Sequence, residues 1–278
     1  MYTVKIVADS SADVKTVSDV PFLSIPLKII TAHKEYIDDD SLQTEDMIHD
    51  LFSYKGKSST SCPNSQEWLE AFEDAENVIC ITITGTLSGS YNAACIAKTI
   101  YEEKYPERNV FVVNSLSAGP ELKLLIEKAA EGIALGYSFQ KICEDIEQYQ
   151  KSTGLLFMLE SMKNLANNGR VSPLVAKAVG LLGIRILGKA SDKGDLQPLD
   201  KCRGEEKGLT AVIHRLKENG CKNGKVRIAH CLNEATAIKL KEKIEKEIGT
   251  INIEIYPCGG LCGFYAEKGG LLIGFETF

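Results

Sequence analysis

The run Val78-Ile79-Cys80-Ile81-Thr82-Ile83-Thr84 constrains this chain more than any other stretch: seven β-prone residues without a charge fit a strand buried on both faces. It passes directly into Gly85-Thr86-Leu87-Ser88-Gly89-Ser90, after which residues 91–105 follow helical spacing. A strand that feeds a helix through a short turn is the repeating unit of a parallel sheet covered by helices. The same rhythm recurs on either side. Residues 3–8 (TVKIVA) are an apolar run ending in Asp9-Ser10-Ser11, and residues 22–30 are a second β-rich run. Residues 109–114 form another strand, leading through Ser115-Leu116-Ser117-Ala118-Gly119-Pro120 into a helix over 121–135. Thr44 and Ser65 are placed to cap helices ending near residues 54 and 75.

The second half reads differently. A helix over 139–151 and a short strand over 155–159 precede strands at 184–190 and 196–201, which flank the turn chemistry of Asp192-Lys193-Gly194-Asp195. Helices follow over 205–219 and 234–248, with strands at 225–229, 252–256 and 271–275. The expected fold class is α/β: an N-terminal mostly parallel sheet with flanking helices, plus a second α/β domain with a mixed or antiparallel sheet. A chain of 278 residues, 44% of them apolar, suits two such domains, divided near residue 160 into 1–160 and 161–278.

Charge and cysteine usage narrow the function classes. With 32 Lys and Arg against 38 Asp and Glu, the net charge of −6 repels polyanions, so no nucleic acid partner is expected. Nine cysteines are too sparse for a disulfide scaffold, and their odd number leaves at least one unpaired, which points to a reducing, cytoplasmic location. The first residues lack a basic start followed by an apolar run, so no signal peptide is expected. No uncharged stretch approaches the roughly 18 apolar residues of a membrane span, so no stable membrane insertion is expected.

Four polar loops at strand ends carry the chemistry: Asp9-Ser10-Ser11, Thr60-Ser61-Cys62-Pro63, residues 84–90 and residues 114–117. In an open parallel sheet such loops gather in one crevice, so their hydroxyls are expected to converge there. Residues 85–90 also open a helix, where free N–H groups and the dipole favour a carboxylate or phosphate. A hydroxyl before a helix is, taken singly, more often a simple cap. The glycine-bearing segment lacks the spacings of a phosphate loop and of a dinucleotide fold.

The motifs, taken in order, resemble the DegV family of bacterial fatty-acid-binding proteins. Val7-Ala8-Asp9-Ser10-Ser11-Ala12-Asp13 is similar to its opening D-S-[ST]-[AC]-D strand and loop, and Ser24-Ile25-Pro26-Leu27 to its second strand. Thr60-Ser61-Cys62-Pro63-Asn64 resembles T-S-Q-P-S, and Leu87-Ser88-Gly89-Ser90-Tyr91 resembles L-S-G-T-Y. Gly169-Arg170-Val171-Ser172 is similar to G-R-[IV], and Lys201-Cys202-Arg203-Gly204 to K-x-R-G. The resemblance implies a two-domain protein enclosing one long-chain fatty acid in an apolar tunnel between its domains. It implies that Thr60 and Ser88 hold the carboxyl group, with Ser61 and nearby backbone N–H groups as second choices. The implied role is acyl carriage: the bound acid is presented to a separate ATP-dependent fatty acid kinase subunit, whose acyl phosphate feeds phospholipid synthesis. This chain is then a lipid-binding subunit and not the catalyst, with the fatty acid as ligand and no cofactor. Arg170 and Arg203 lie in motifs that, by resemblance, face the kinase.

Three departures accompany the match. Tyr265 stands where the family often carries the histidine of an H-x-G-P-G segment that reaches the carboxyl group; a phenol donates a hydrogen bond but stays neutral at physiological pH. Glu267-Lys268 replaces the Gly-Pro pair, and Cys62 replaces the usual glutamine. Residues 155–159, 174–182 and 261–264 are the candidate tunnel lining. The alternative function is an enzyme acting on a small anionic metabolite in the same crevice.

Other constellations favour structural readings. His33, Glu35, Asp38, Asp39 and Asp40 lack the glycine and spacing of a calcium loop and read as a solvated loop. Cys258 and Cys262 have no second pair nearby that would complete a zinc site. Arg185, beside an apolar strand, reads as a structural ion pair, and Ser88 is not in a G-x-S-x-G nucleophile turn.

Overall fold

The computed structural model describes residues 2–172, 183–249 and 252–277. Strands β1 (Tyr2–Asp9), β2 (Phe22–Ile25), β6 (Ala75–Thr82) and β7 (Asn109–Asn114) form a parallel sheet in the order β2-β1-β6-β7. Alternate residues of each strand face opposite layers, which is why the strands read as unbroken apolar runs. Val7, Val78 and Cys80 pack with Trp68 and Phe72 of α2 (Ser65–Phe72) and Ala97 of α3 (Ser90–Lys104). Ile6, Ile79 and Ile81 pack with Leu122 and Leu125 of α4 (Pro120–Ala134) and Ile142 of α5 (Phe139–Tyr149).

Residues 22–30 are not one strand. Pro26 has no N–H to give a ladder, and the chain leaves the parallel sheet there. It resumes as β3 (Lys28–Ile30), which pairs antiparallel with β4 (Glu35–Ile37) and β5 (Ser59–Ser61). Helix α1 (Thr44–Ser53) lies between β4 and β5 in the chain. The caps also differ by one residue from expectation. Thr44 and Ser65 are the first helical residues; Gln43 precedes α1 without a side-chain cap bond. Asn64 caps α2 in a reciprocal box, its Oδ1 accepting from Glu67 N at 3.0 Å while the Glu67 carboxylate accepts from Asn64 N at 2.7 Å.

The second sheet has the order β10-β9-β8-β13-β11-β12, with β8 (Thr153–Leu159), β9 (Ile184–Ala190), β10 (Leu196–Arg203), β11 (Lys225–His230), β12 (Asn252–Pro257) and β13 (Leu271–Glu276). It is mixed: β11 and β12 run parallel and the other neighbours antiparallel. Helices Glu205–Glu218 and Glu234–Glu247 cover one face, on which Leu156, Met158 and Ile273 are buried. The opposite face, with Leu155, Phe157 and Leu159, turns to the first half of the chain, where Ile29, Met47 and Ile48 join the same core.

β8 pairs with β9 and β13, so the change of sheet falls at the short turn Gln150–Ser152, ahead of the division expected near residue 160. We propose that turn as the domain boundary. The two halves are firmly joined. Arg227 on β11 makes a two-pronged pair with Glu127 on α4, each contact 2.7 Å. The β9–β10 hairpin tip accepts a hydrogen bond at Gly194 O from Thr86 Oγ1, 2.8 Å away. Among the described residues no helix is long and apolar enough to cross a membrane.

Candidate functional site

The inner face of the second sheet forms the apolar wall of a cavity of about 320 Å³, within the range typical of ligand pockets. Leu155, Phe157 and Leu159 line it because side chains two apart on β8 share a face; Leu156 and Met158 point into the other layer. Leu272 of β13 and Leu196 of β10 extend that wall, and Leu27, Ile83 and Ala118 close it from the first domain. Helix Gly260–Ala266 supplies Leu261 and Tyr265. Of the candidate lining stretches, 155–159 and 261–264 therefore contribute, while 174–182 lies outside the described residues.

The polar part of the wall lies where three loops meet. Thr60 and Ser61 come from β5, Ser88 from the turn before α3, and Tyr265 from the penultimate position of helix Gly260–Ala266. Thr60 Oγ1 and Tyr265 Oη are hydrogen-bonded at 2.8 Å across 205 positions of sequence. Ser61, the neighbour of Thr60 on the strand, is more exposed. Gly89 lets the loops close: a methyl group on it would stand 3.2 Å from Cys62 Sγ. Burial pushes the Tyr265 phenol above its ordinary range, opposed by its bond to Thr60 and by the charge of Arg170.

Arg170 also lines the cavity, and among the described residues it brings a cation to the wall. Its guanidinium carbon sits 5.9 Å from the centre of the Tyr265 ring. It donates to Leu87 O at 3.2 Å and to Asn168 O at 2.5 Å, so it bridges the turn before α3 to the segment after α6 (Lys163–Asn167). Arg203 is elsewhere, exposed at the end of β10 and outside the cavity wall. Arg185 pairs with Glu160.

The hydroxyl-rich loops converge only in part. Asp9 is buried and gathers three donors: Ser11 Oγ, Ser90 Oγ at 2.6 Å and Ile83 N at 2.9 Å. Burial pushes its carboxyl up, against those hydrogen bonds. Ser10 Oγ accepts from Leu27 N, and Ser115 Oγ accepts from Ser117 N and donates to Ser117 O. These hydroxyls shape the loops and leave Thr60, Ser61 and Ser88 to face the cavity. The acidic segment is not wholly solvated either. Asp38 is buried and accepts from Gly260 N at 2.6 Å and Leu261 N at 2.9 Å, anchoring the start of the helix that carries Tyr265. All nine cysteines are free thiols, and no group of three or more His, Cys, Asp or Glu among the described residues is placed to hold a metal ion.

A family model described as "Uncharacterised protein, DegV family" matches residues 3–277. The chain belongs to the DegV family. A DegV domain-containing protein of Streptococcus pneumoniae is 42% identical over 278 residues, covering 99% of each chain. The Fatty Acid Kinase (Fak) B3 protein of S. pneumoniae, solved loaded with linoleic acid, superimposes with a TM-score of 0.97 at 42% identity, covering 99% of this chain and 100% of that one. A DegV family protein of Eubacterium eligens loaded with heptadecanoic acid gives a TM-score of 0.97 at 40% identity with the same coverage. The α/β fold with a parallel and a mixed sheet is thus the DegV fold. What the sequence of this DegV chain did not mark is the rest of the apolar wall: Leu196 and Leu272 carry no motif, and only the pleat and the pairing of distant strands put them at the site.

Proposed function

We propose that this DegV protein binds one long-chain fatty acid, with the tail along the wall of Leu155, Phe157, Leu159 and Leu272 and the carboxyl group among Thr60, Ser88 and Tyr265, Ser61 standing second. One observation carries this reading: Thr60 and Tyr265 meet at 2.8 Å at the polar end of a mostly apolar cavity. About 14 methylenes at about 0.8 kcal/mol each give burial on the order of 10 kcal/mol before ordering costs. The head group therefore needs positioning more than extra affinity. Hydroxyl donors satisfy a carboxylate, and Arg170, which pairs with no carboxylate among the described residues, adds charge. This arrangement suits an acyl chain better than a small anionic metabolite.

The acyl-loaded relatives support a binding role, and the relative named as a fatty acid kinase B3 protein supports presentation of the acid to a separate ATP-dependent kinase, where phosphoryl transfer takes place. On this reading the chain is no catalyst, Arg170 and Arg203 contact the kinase, and nine free thiols suit the cytoplasm. The test is organic extraction of the purified protein followed by mass spectrometry. The expected yield is about one long-chain fatty acid per chain; a folded protein with neither a co-purifying nor an exchangeable acyl chain overturns the reading.

A further inference from the structure

Helix Gly260–Ala266 ends at a residue whose backbone is out of character. Glu267 has φ 54° and ψ 169°, a region populated almost only by glycine. It is also the position at which the family motif carries glycine. A glutamate is kept in such a conformation only where surrounding contacts outweigh the strain. Its carboxylate has those contacts. Oε2 accepts from Ser161 Oγ at 2.8 Å and Oε1 from Asn164 N at 3.0 Å, so Glu267 caps the first turn of α6. The tie is returned by Asn164 Nδ2, which donates to Phe264 O at 2.8 Å, one residue before Tyr265.

The far end of α6 reaches the other polar groups of the cavity. Asn168 Nδ2 donates to Ser58 O at 3.2 Å, two residues before Thr60, and Asn168 O receives Arg170 Nη1. Glu267 thus closes a continuous set of hydrogen bonds joining the helix of Tyr265, the turn of Arg170 and the strand of Thr60. We propose that Glu267 is a positioning residue: by clamping α6 to helix Gly260–Ala266 it fixes the Tyr265 phenol against Thr60 for the acyl head group. This rests on the proposed fatty acid site. It adds a residue that the glycine of the family motif does not provide.

The variants Glu267→Gly and Glu267→Gln separate positioning from mere stability. Glycine relieves the backbone and removes the clamp; glutamine keeps one carbonyl acceptor. Two readouts are needed: dissociation constants for hexadecanoic acid and its methyl ester, and the ¹³Cζ resonance of Tyr265, assigned with Tyr265→Phe. In Glu267→Gly the acid is expected to bind roughly tenfold more weakly, the size of one charge-assisted hydrogen bond, with the ester changed less than twofold. The Tyr265 resonance is expected to broaden or move, and Glu267→Gln to recover part of both effects. An unchanged resonance, or acid and ester weakened alike, overturns the proposal. If the parent protein binds no acid, the fatty acid reading fails by itself and the resonance alone decides the positioning.

Discussion

Replacing Thr60 by valine gives the most direct test of the head-group site. Valine keeps the shape and the strand preference of threonine but removes the hydroxyl, so β5 is expected to persist. In the free protein the change strands Tyr265 Oη, whose bond to Thr60 is 2.8 Å. Both residues are only partly buried, so water can replace the lost partner and the stability cost stays at about 1 kcal/mol or less. In the complex the loss is larger, because a hydrogen bond to a charged carboxylate is worth about 1.5–3 kcal/mol, or roughly a 10- to 150-fold rise in Kd. Titration calorimetry with hexadecanoic acid and its methyl ester separates head from tail. The ester keeps the tail and lacks the charge, so its affinity is expected to change less than threefold. A cycle with Tyr265→Phe should show coupling, since the two groups share one hydrogen bond. A Kd for the acid within twofold of the parent, or equal losses for acid and ester, refutes the assignment of Thr60.

Three further outcomes follow from the same geometry. Because burial raises the Tyr265 phenol further above neutrality, its proton stays in place, and fatty acid affinity measured by calorimetry should be flat between pH 6.5 and 9; a drop centred near pH 6.5–7 would point to a histidine instead. Glu121, buried at the start of α4 and bonded by Thr153, has its carboxyl pushed up to about 6 by burial, so the folded state holds the proton more tightly than the unfolded one. Its contribution is greatest below the unfolded value near 4.5 and is lost as pH rises through about 6; Glu121→Gln should therefore gain up to about 2 kcal/mol at pH 8 relative to the parent in urea unfolding, and no gain between pH 4.5 and 8 counts against it. Arg227→Ala removes Glu127's two-pronged partner between the domains but leaves it Lys225 at 3.3 Å, so it should cost about 1.5–3 kcal/mol by the same assay, whereas a loss under 1 kcal/mol would show that the pair does not join the halves.

Local sequence carried the parallel sheet well, because β6 and its helix are specified by contiguous residues. It also marked the loops of Thr60 and Ser88, both of which line the cavity. It failed at Pro26, where a run that reads as one strand divides between two sheets, and at β4 and β5, whose three residues each are too short for periodicity to register. The boundary we propose at Gln150–Ser152 lies ahead of residue 160 because β8 has no signal of its own for which sheet it joins; only pairing with β9 and β13 decides that.

The sequence by itself determined which residue types stood at each strand end: hydroxyls, a glycine where two loops touch, and a tyrosine and a glutamate in place of the family's histidine and glycine. Tertiary structure decided which of those groups face the cavity. Asp9 takes the hydroxyls of Ser11 and Ser90 into the loop framework, while Thr60 meets Tyr265 from 205 residues away. Hydrogen bonds of that separation depend on how two sheets and a short helix pack. Packing is fixed by the whole core, so no local stretch encodes it.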